Sequence, residues 1–262
     1  ALVQQLIERG WHPLIVSRGY GGAAQQPQHV TEKSDAQQVG DEPLLMARRK
    51  LCPVWIGRDR AAIAQLAMRA HPQCDVVVCD DGLQHYRLQR DVEIAVVDAQ
   101  RGVGNGWLLP AGPLREPASR LKAVDAVVLN GDHAPIGQYL MQLNGAIFYN
   151  LLDSTQTATA ADFKLLNNHA VAGIGNPKRY FDHLQSLSIN FTPHAFPDHH
   201  AYLASELSFA NCDAILLTEK DAVKCAAFAD KRFWVLRVDA QIDPALIELI
   251  TRKLSPYGRK TA

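Results

Sequence analysis

The run Asp75-Val76-Val77-Val78-Cys79 empties into Asp80-Asp81-Gly82, so a strand of apolar, β-branched residues ends on two carboxylates. Acids delivered to a sheet edge in this way can hold Mg²⁺, directly or through water, and the metal then neutralises charge on phosphates. Gln84 and His85 follow on the same loop. A plain Asp-Asp-Gly turn capping the next element satisfies the same local pattern. A second acidic pair, Asp41-Glu42, stands at the glycine turn Val39-Gly40-Asp41-Glu42-Pro43. It reads either as an N-terminal cap with an acid in the first helical turn, or as a base for an acceptor hydroxyl beside a second acid near a metal.

Other polar groups fall at comparable places. Ser17-Arg18-Gly19-Tyr20-Gly21-Gly22 follows an apolar run and offers Arg18 and Tyr20; an Arg in a cleft can clamp phosphate with a planar fork, while at a surface it is only a solvated charge. Leu109-Pro110-Ala111-Gly112-Pro113-Leu114-Arg115-Glu116-Pro117 is rigid and apolar, a shaped wall from which Arg115 and Glu116 project. Trp107, Leu108 and Leu109 before it are either an apolar surface or core. Phe196-Pro197-Asp198-His199-His200-Ala201-Tyr202 puts two histidines after an acid. Adjacent histidines point apart and no matching Cys/His cluster exists elsewhere, so a His that tunes a carboxylate base fits better than a metal site. Asp198 is alternatively a helix cap. Thr218-Glu219-Lys220-Asp221-Ala222-Val223-Lys224 closes another apolar run, with Lys220 expected to face a cleft and Lys224 to be surface charge.

The elements that must position these groups alternate in type. Strands are read at 13–16, 53–56, 75–79, 92–98 and 126–129, with helices over about 42–49 and 59–70 and a polar loop over 23–38. Short continuous β-branched runs between helices suit a sheet buried on both faces, and imply a doubly wound, mainly parallel α/β layer with ligands beyond the carboxyl ends of its strands. At 146–149 and 163–166 two strands are expected to flank the Thr/Ala-rich stretch 154–161. A second series follows, with strands at 169–173, 214–217 and 233–236 and helices near 178–187 and 201–209. The division expected is a core lobe over 1–145, linker strands over 146–168, and a smaller C-terminal α/β lobe over 169–262.

The 262 residues carry 27 basic and 27 acidic side chains, so no global field favours nucleic acid and an anionic ligand must be held by local clusters. Apolar residues make up 47%, enough for a substantial core. Cys52, Cys74, Cys79, Cys212 and Cys225 form no CxxC pair; they are expected to be small buried thiols in a reducing compartment. No apolar run approaches the roughly 18 residues of a membrane span. Ala1 to Gly10 reads as a helix already under way, with no cap and no initiator Met, from which the removal of something N-terminal is expected.

Seven motifs occur in one order: Ser-Arg-Gly-Tyr-Gly-Gly, Val-Gly-Asp-Glu-Pro, Asp-Asp-Gly-Leu-Gln-His, Pro-Ala-Gly-Pro-Leu-Arg-Glu-Pro, Gly-Ile-Gly-Asn-Pro, Phe-Pro-Asp-His-His and Thr-Glu-Lys-Asp-Ala-Val-Lys. Over residues 1 to 257 the chain thereby resembles the tetraacyldisaccharide 4′-kinase family of Gram-negative lipid A synthesis. The resemblance implies a P-loop-NTPase-like fold and ATP-dependent phosphorylation of the 4′-hydroxyl of a tetraacylated glucosamine disaccharide 1-phosphate. It places the enzyme peripherally at the cytoplasmic face of the inner membrane, with Mg²⁺ and ATP as cofactors and no nucleic-acid partner. It implies Asp41 as catalytic base and His199 as its partner from the other lobe. Glu42, Asp80 and Asp81 would surround Mg²⁺ and, with Gln84, the nucleotide. Arg18, Tyr20, Arg60 (with Arg58 close by), His85, Arg115 and Glu116 would meet substrate. The family opens with a membrane-associating segment and a Gly-x-x-x-x-Gly-Lys-Ser/Thr loop, and no such loop occurs here. The expectation is that the chain as it stands lacks normal catalysis, leaving as the other reading a protein that binds nucleotide or anionic glycolipid weakly.

Overall fold

The computed structural model of the protein describes residues 1–255. Apolar runs become strands and amphipathic runs become helices in the order α1 (Leu2–Glu8), β1 (Pro13–Ser17), β2 (Gln28–Val30), α2 (Ala36–Val39), α3 (Asp41–Arg48), β3 (Val54–Ile56), α4 (Arg60–Ala70), β4 (Val76–Cys79), β5 (Ile94–Asp98), β6 (Ala126–Asn130) and β7 (Tyr139–Asn150). The C-terminal half continues with β8 (Thr157–Thr159), α5 (Ala160–Phe163), β9 (Asn168–Ala172), α6 (Pro177–Ser186), β10 (Phe191–Ala195), β11 (Ala214–Thr218), α7 (Glu219–Cys225), β12 (Phe233–Ile242) and α8 (Pro244–Leu254).

The strands form two sheets, ordered β2-β3-β1-β4 and β10-β9-β11-β12-β7-β6-β5. Pairing is parallel except for β2 with β3, β7 with β12, and β7 with β8. The architecture is the expected doubly wound, mainly parallel α/β layer, and β4 and β5 are the outer strands of their sheets. Val76 and Val78 of β4 pack into the same cluster as Ile94, Ala126 and Val128, beneath Leu6, Ile247 and Ile250 of α1 and α8. The two sheets therefore share one apolar cluster. Strands β5 and β6 hydrogen-bond through β7 to the C-terminal strands, so the expected divisions at 145 and 168 are not sheet boundaries. The end of the expected C-terminal lobe, at 262, lies outside the described residues.

Three local expectations are corrected. The polar loop 23–38 contains β2 and α2, because Asp35 caps α2 by accepting from the Gln37 amide. The stretch 163–166 is not a strand: Thr159 and Asp162 form a reciprocal capping box that starts α5, and β8 supplies the second hairpin strand instead. Phe163 is then buried against Phe148 and Trp234, with ring centroids 4.7 and 5.6 Å away. The helix near 201–209 is a single 3₁₀ turn, Ala204–Leu207. Cys74 and Cys225 are buried and the other three thiols half-buried; burial pushes the Cys225 thiol up to about 12. Among the described residues no helix is long and apolar enough to cross a membrane.

Candidate active site

Two glycine loops set the first part of the site. The amides of Ala23 and Ala24 donate to the carbonyls of Gln37 and Gln38, locking the loop after β1 onto α2. Gly40 has φ +88°, and a Cβ there would come within 2.6 Å of the Tyr20 carbonyl. This close approach demands glycine. Gly40 is the N-cap of α3, so Asp41 and Glu42 occupy its first turn, where the helix dipole favours acids. Asp41 is buried and Glu42 exposed.

The second part comes from the C-terminal half. Phe196 hydrogen-bonds back to Ala172 at the end of β9, and the chain then turns at His199, whose φ of +59° is uncommon for a side-chain-bearing residue. Asp198 Oδ1 accepts from the His199 amide at 3.0 Å. This conformation brings His199 Nδ1 to 3.3 Å from Asp41 Oδ2, across 158 residues of sequence. The Tyr20 ring lies 5.5 Å from the His199 ring. His200 points elsewhere, with Nε2 3.1 Å from both Glu206 oxygens.

Helix α7 packs against α3 and supplies two lysines. Lys220 Nζ lies 3.1 Å from Asp198 Oδ1, 3.3 Å from His199 Nε2 and 3.4 Å from Glu42 Oε1. Lys224 departs from expectation, because it is not surface charge. Its side chain is 8% exposed, with Nζ 2.9 Å from Asp221 Oδ1 and 3.9 Å from Asp41 Oδ2. Asp221 explains this burial. Its fully buried carboxylate accepts from Thr218 Oγ1 at 2.7 Å and from the Gly173 amide and Tyr202 hydroxyl at 3.1 Å each. Burial first, and the Asp221 charge second, push the Tyr202 hydroxyl well up. Sequence reasoning missed Lys224 as a neighbour of Asp41, and Asp221 and Tyr202 as the groups around Lys224. The available signal was Asp221 and Lys224 at i,i+3 on a helix that also carries Lys220.

The acids at the end of β4 form a third part. Ser17 Oγ donates to Asp80 Oδ2 at 2.8 Å, which joins the ends of β1 and β4. Arg60 is 2% exposed and donates to the Gly57 and Asp80 carbonyls at 2.8 and 3.2 Å. These donations make it a support for the loop. Asp81, at φ +47°, takes both of its oxygens to Arg115 in a bidentate pair of 2.6 and 2.9 Å. The Arg115 hydrogen bonds hold the Asp81 carboxyl below its ordinary range. Glu116 accepts from Gln84 Nε2 at 2.6 Å and from the Tyr86 hydroxyl, and the Tyr86 bond leads in lowering its pKa. Burial, then the charges of Arg60 and Arg18, lower that of His85. Trp107, Leu108 and Leu109 are 66%, 44% and 62% exposed, a surface and not core.

The sequence profile described as tetraacyldisaccharide-1-P 4′-kinase matches residues 1–255. The chain belongs to this family. It is 48% identical over 267 residues to a tetraacyldisaccharide 4′-kinase of Dechloromonas aromatica, covering all of this chain and 79% of that protein. It is 50% identical over 266 residues to the one from Halorhodospira halophila, covering 98% of this chain and 79% of the relative. Among solved structures, LpxK of Aquifex aeolicus in complex with ATP superimposes with a TM-score of 0.77 at 26% identity, over 97% of this chain and 82% of that one. The fold described above, two mainly parallel sheets with their helices, is thus shared with that structure.

Proposed function

We propose that these residues form the acceptor-activating half of an ATP-dependent lipid A precursor kinase, with the 4′-hydroxyl of a tetraacylated glucosamine disaccharide 1-phosphate as phosphoryl acceptor. The observation that carries the reading is the 3.3 Å approach of His199 to the buried carboxylate of Asp41, made between two lobes and within a family of such kinases. Asp41 takes the hydroxyl proton as attack on the γ-phosphate begins, and His199 orients its carboxylate. A base on one lobe and its partner on the other form a complete pair only when the cleft is closed, which limits transfer to water.

Asp80, Asp81 and Glu42 are assigned to Mg²⁺, and Gln84 to the nucleotide. Among the described residues no group of three or more His, Cys, Asp or Glu side chains forms a ready-made metal cluster. Mg²⁺ commonly takes one or two carboxylates, with water and phosphate oxygens completing its shell. The donors here fit that habit. The Asp81–Arg115 pair is more than half exposed on both sides and so exchanges partners cheaply. When bound, the metal would neutralise charge on the nucleotide phosphates. Arg18, Tyr20, Arg60, His85, Arg115 and Glu116 are assigned to substrate, with Arg60 acting through the loop backbone. The exposed Trp107-Leu108-Leu109 surface suits acyl chains, and a lipid acceptor places the work peripherally at the cytoplasmic face of the inner membrane.

A phosphate-cradling Gly-x-x-x-x-Gly-Lys-Ser/Thr loop is not among these 262 residues. The test therefore uses the chain itself and the chain joined at Ala1 to a relative's segment bearing that loop. Mass spectrometry of the disaccharide after incubation with ATP and Mg²⁺ should show a 4′-phosphate with the joined protein. Binding of nucleotide or glycolipid without any transfer would favour the non-catalytic reading.

A further inference from the structure

We propose that Lys220 is a positioning residue that fixes the tautomer of His199, so that the imidazole presents its proton to Asp41. An ammonium group only donates hydrogen bonds. Lys220 Nζ stands 3.3 Å from His199 Nε2, so this nitrogen must be the acceptor. A neutral imidazole carries one N–H, which then sits on Nδ1, the nitrogen 3.3 Å from Asp41 Oδ2. The other tautomer loses on both sides. It would set an N–H against an ammonium, and it would turn the Nδ1 lone pair toward a carboxylate. Among the described residues its Nε2–H would find only Asp198 Oδ1, at 3.9 Å beyond hydrogen-bond reach.

The lysine is held for this task from two elements. Asp198 Oδ1, 3.1 Å away, also accepts the His199 amide, so one oxygen anchors both the histidine backbone and the group that sets its ring. Glu42 Oε1, 3.4 Å away in the first turn of α3, ties the same ammonium to the element that carries Asp41. The Lys220 side chain is 18% exposed. Two carboxylate oxygens, Asp198 Oδ1 at 3.1 Å and Glu42 Oε1 at 3.4 Å, favour the charged ammonium. The donor-only form therefore persists. Among the described residues Tyr20, at 5.5 Å between ring centroids, and Gly21 also face the ring, and neither competes for Nε2. Outer hydrogen bonds commonly set which imidazole nitrogen is protonated. Here the setting group is cationic, and it bridges both lobes.

The role of Lys220 in turnover rests on Asp41 being the base; the tautomer assignment does not. The experiment is a long-range ¹H–¹⁵N correlation spectrum of the folded 262-residue chain, ¹⁵N-labelled at histidine and recorded at alkaline pH. The His199 signals are assigned by their loss in His199→Gln. His183 is the internal reference, because its Nε2 lies 2.6 Å from the Gly145 carbonyl and must carry the proton. His199 should show the Nδ1–H pattern, lose it in Lys220→Met, and regain it in Lys220→Arg, while His183 keeps the Nε2–H pattern throughout. An Nε2–H pattern at His199 in the wild-type chain overturns the proposal by itself, even if Lys220→Met does not fold. So does an unchanged pattern in a folded Lys220→Met protein. Tautomer loss without phosphoryl transfer by the joined protein would keep this assignment and remove the kinase reading; transfer without tautomer loss would do the reverse.

Discussion

Replacing Asp221 with alanine removes the carboxylate that explains why Lys224 of α7 is buried beside Asp41. Asp221 is fully buried and serves four groups: the Lys224 ammonium at 2.9 Å, the Thr218 hydroxyl at 2.7 Å, and the Gly173 amide and Tyr202 hydroxyl at 3.1 Å. Alanine strands an ammonium whose side chain is 8% exposed, along with three donors. Breaking a buried pair by removing one partner costs about 3–5 kcal/mol. Asp41, 3.9 Å from Lys224, compensates in part, so the lower end, about 3 kcal/mol, is expected. With a urea slope of about 3 kcal/mol/M, the unfolding midpoint should fall by about 1 M. Tryptophan fluorescence during urea unfolding measures this shift. Asp221→Ala/Lys224→Met should recover much of the loss, because the stranded charge leaves with its partner. A loss below about 1 kcal/mol in Asp221→Ala would refute the reasoning, because a buried, four-partnered carboxylate cannot be removed so cheaply.

Arg49 ends α3 and donates to both Glu219 oxygens at 2.7 and 2.9 Å, to the Val238 carbonyl at 2.9 Å and to Asp239. Arg49→Met should cost about 2 kcal/mol and raise amide hydrogen exchange at the start of α7, with unchanged exchange there as the contrary result. His169 Nδ1 and His194 Nε2 lie 2.9 Å apart, and both rings stack on Phe209. Burial lowers both histidines from 6.5, and His169 lowers His194 further. The folded chain thus favours the neutral rings, so their contribution is present above pH 6.5 and is lost as pH falls through the lowered values. The urea midpoint should decline from pH 7 to 5, less steeply in His169→Gln/His194→Gln; superimposable pH profiles would contradict the assignment.

Much of the fold was legible because buried parallel strands announce themselves as β-branched runs. The helix read over 59–70 is α4, Arg60–Ala70, started by Asp59 accepting from the Ala61 and Ala62 amides. Strand β7 was only partly read. Its first half gains its identity by pairing with the far end of β12, a long-range partner invisible to a local window. Leu165 and Leu166 misled as strand residues, because the Thr159–Asp162 capping box decides the conformation there and leaves Leu165 99% exposed. The acids of the site were legible as polar residues ending apolar runs. The burial of Lys224 was not, since it depends on a carboxylate whose own burial comes from β9 and the loop carrying Tyr202. For the same reason the chain of groups from Asp221 through Lys224 to Asp41 required the tertiary structure.

The most direct measurement is steady-state phosphoryl transfer to the disaccharide by the loop-bearing joined protein, compared among wild type, Asp41→Asn and His199→Ala. Both substitutions should lower kcat by about 10²–10⁴-fold, the range for a positioned general base, while KM for the nucleotide changes little. Retention of wild-type kcat by Asp41→Asn would contradict the assignment of the Asp41–His199 pair as the base of this site.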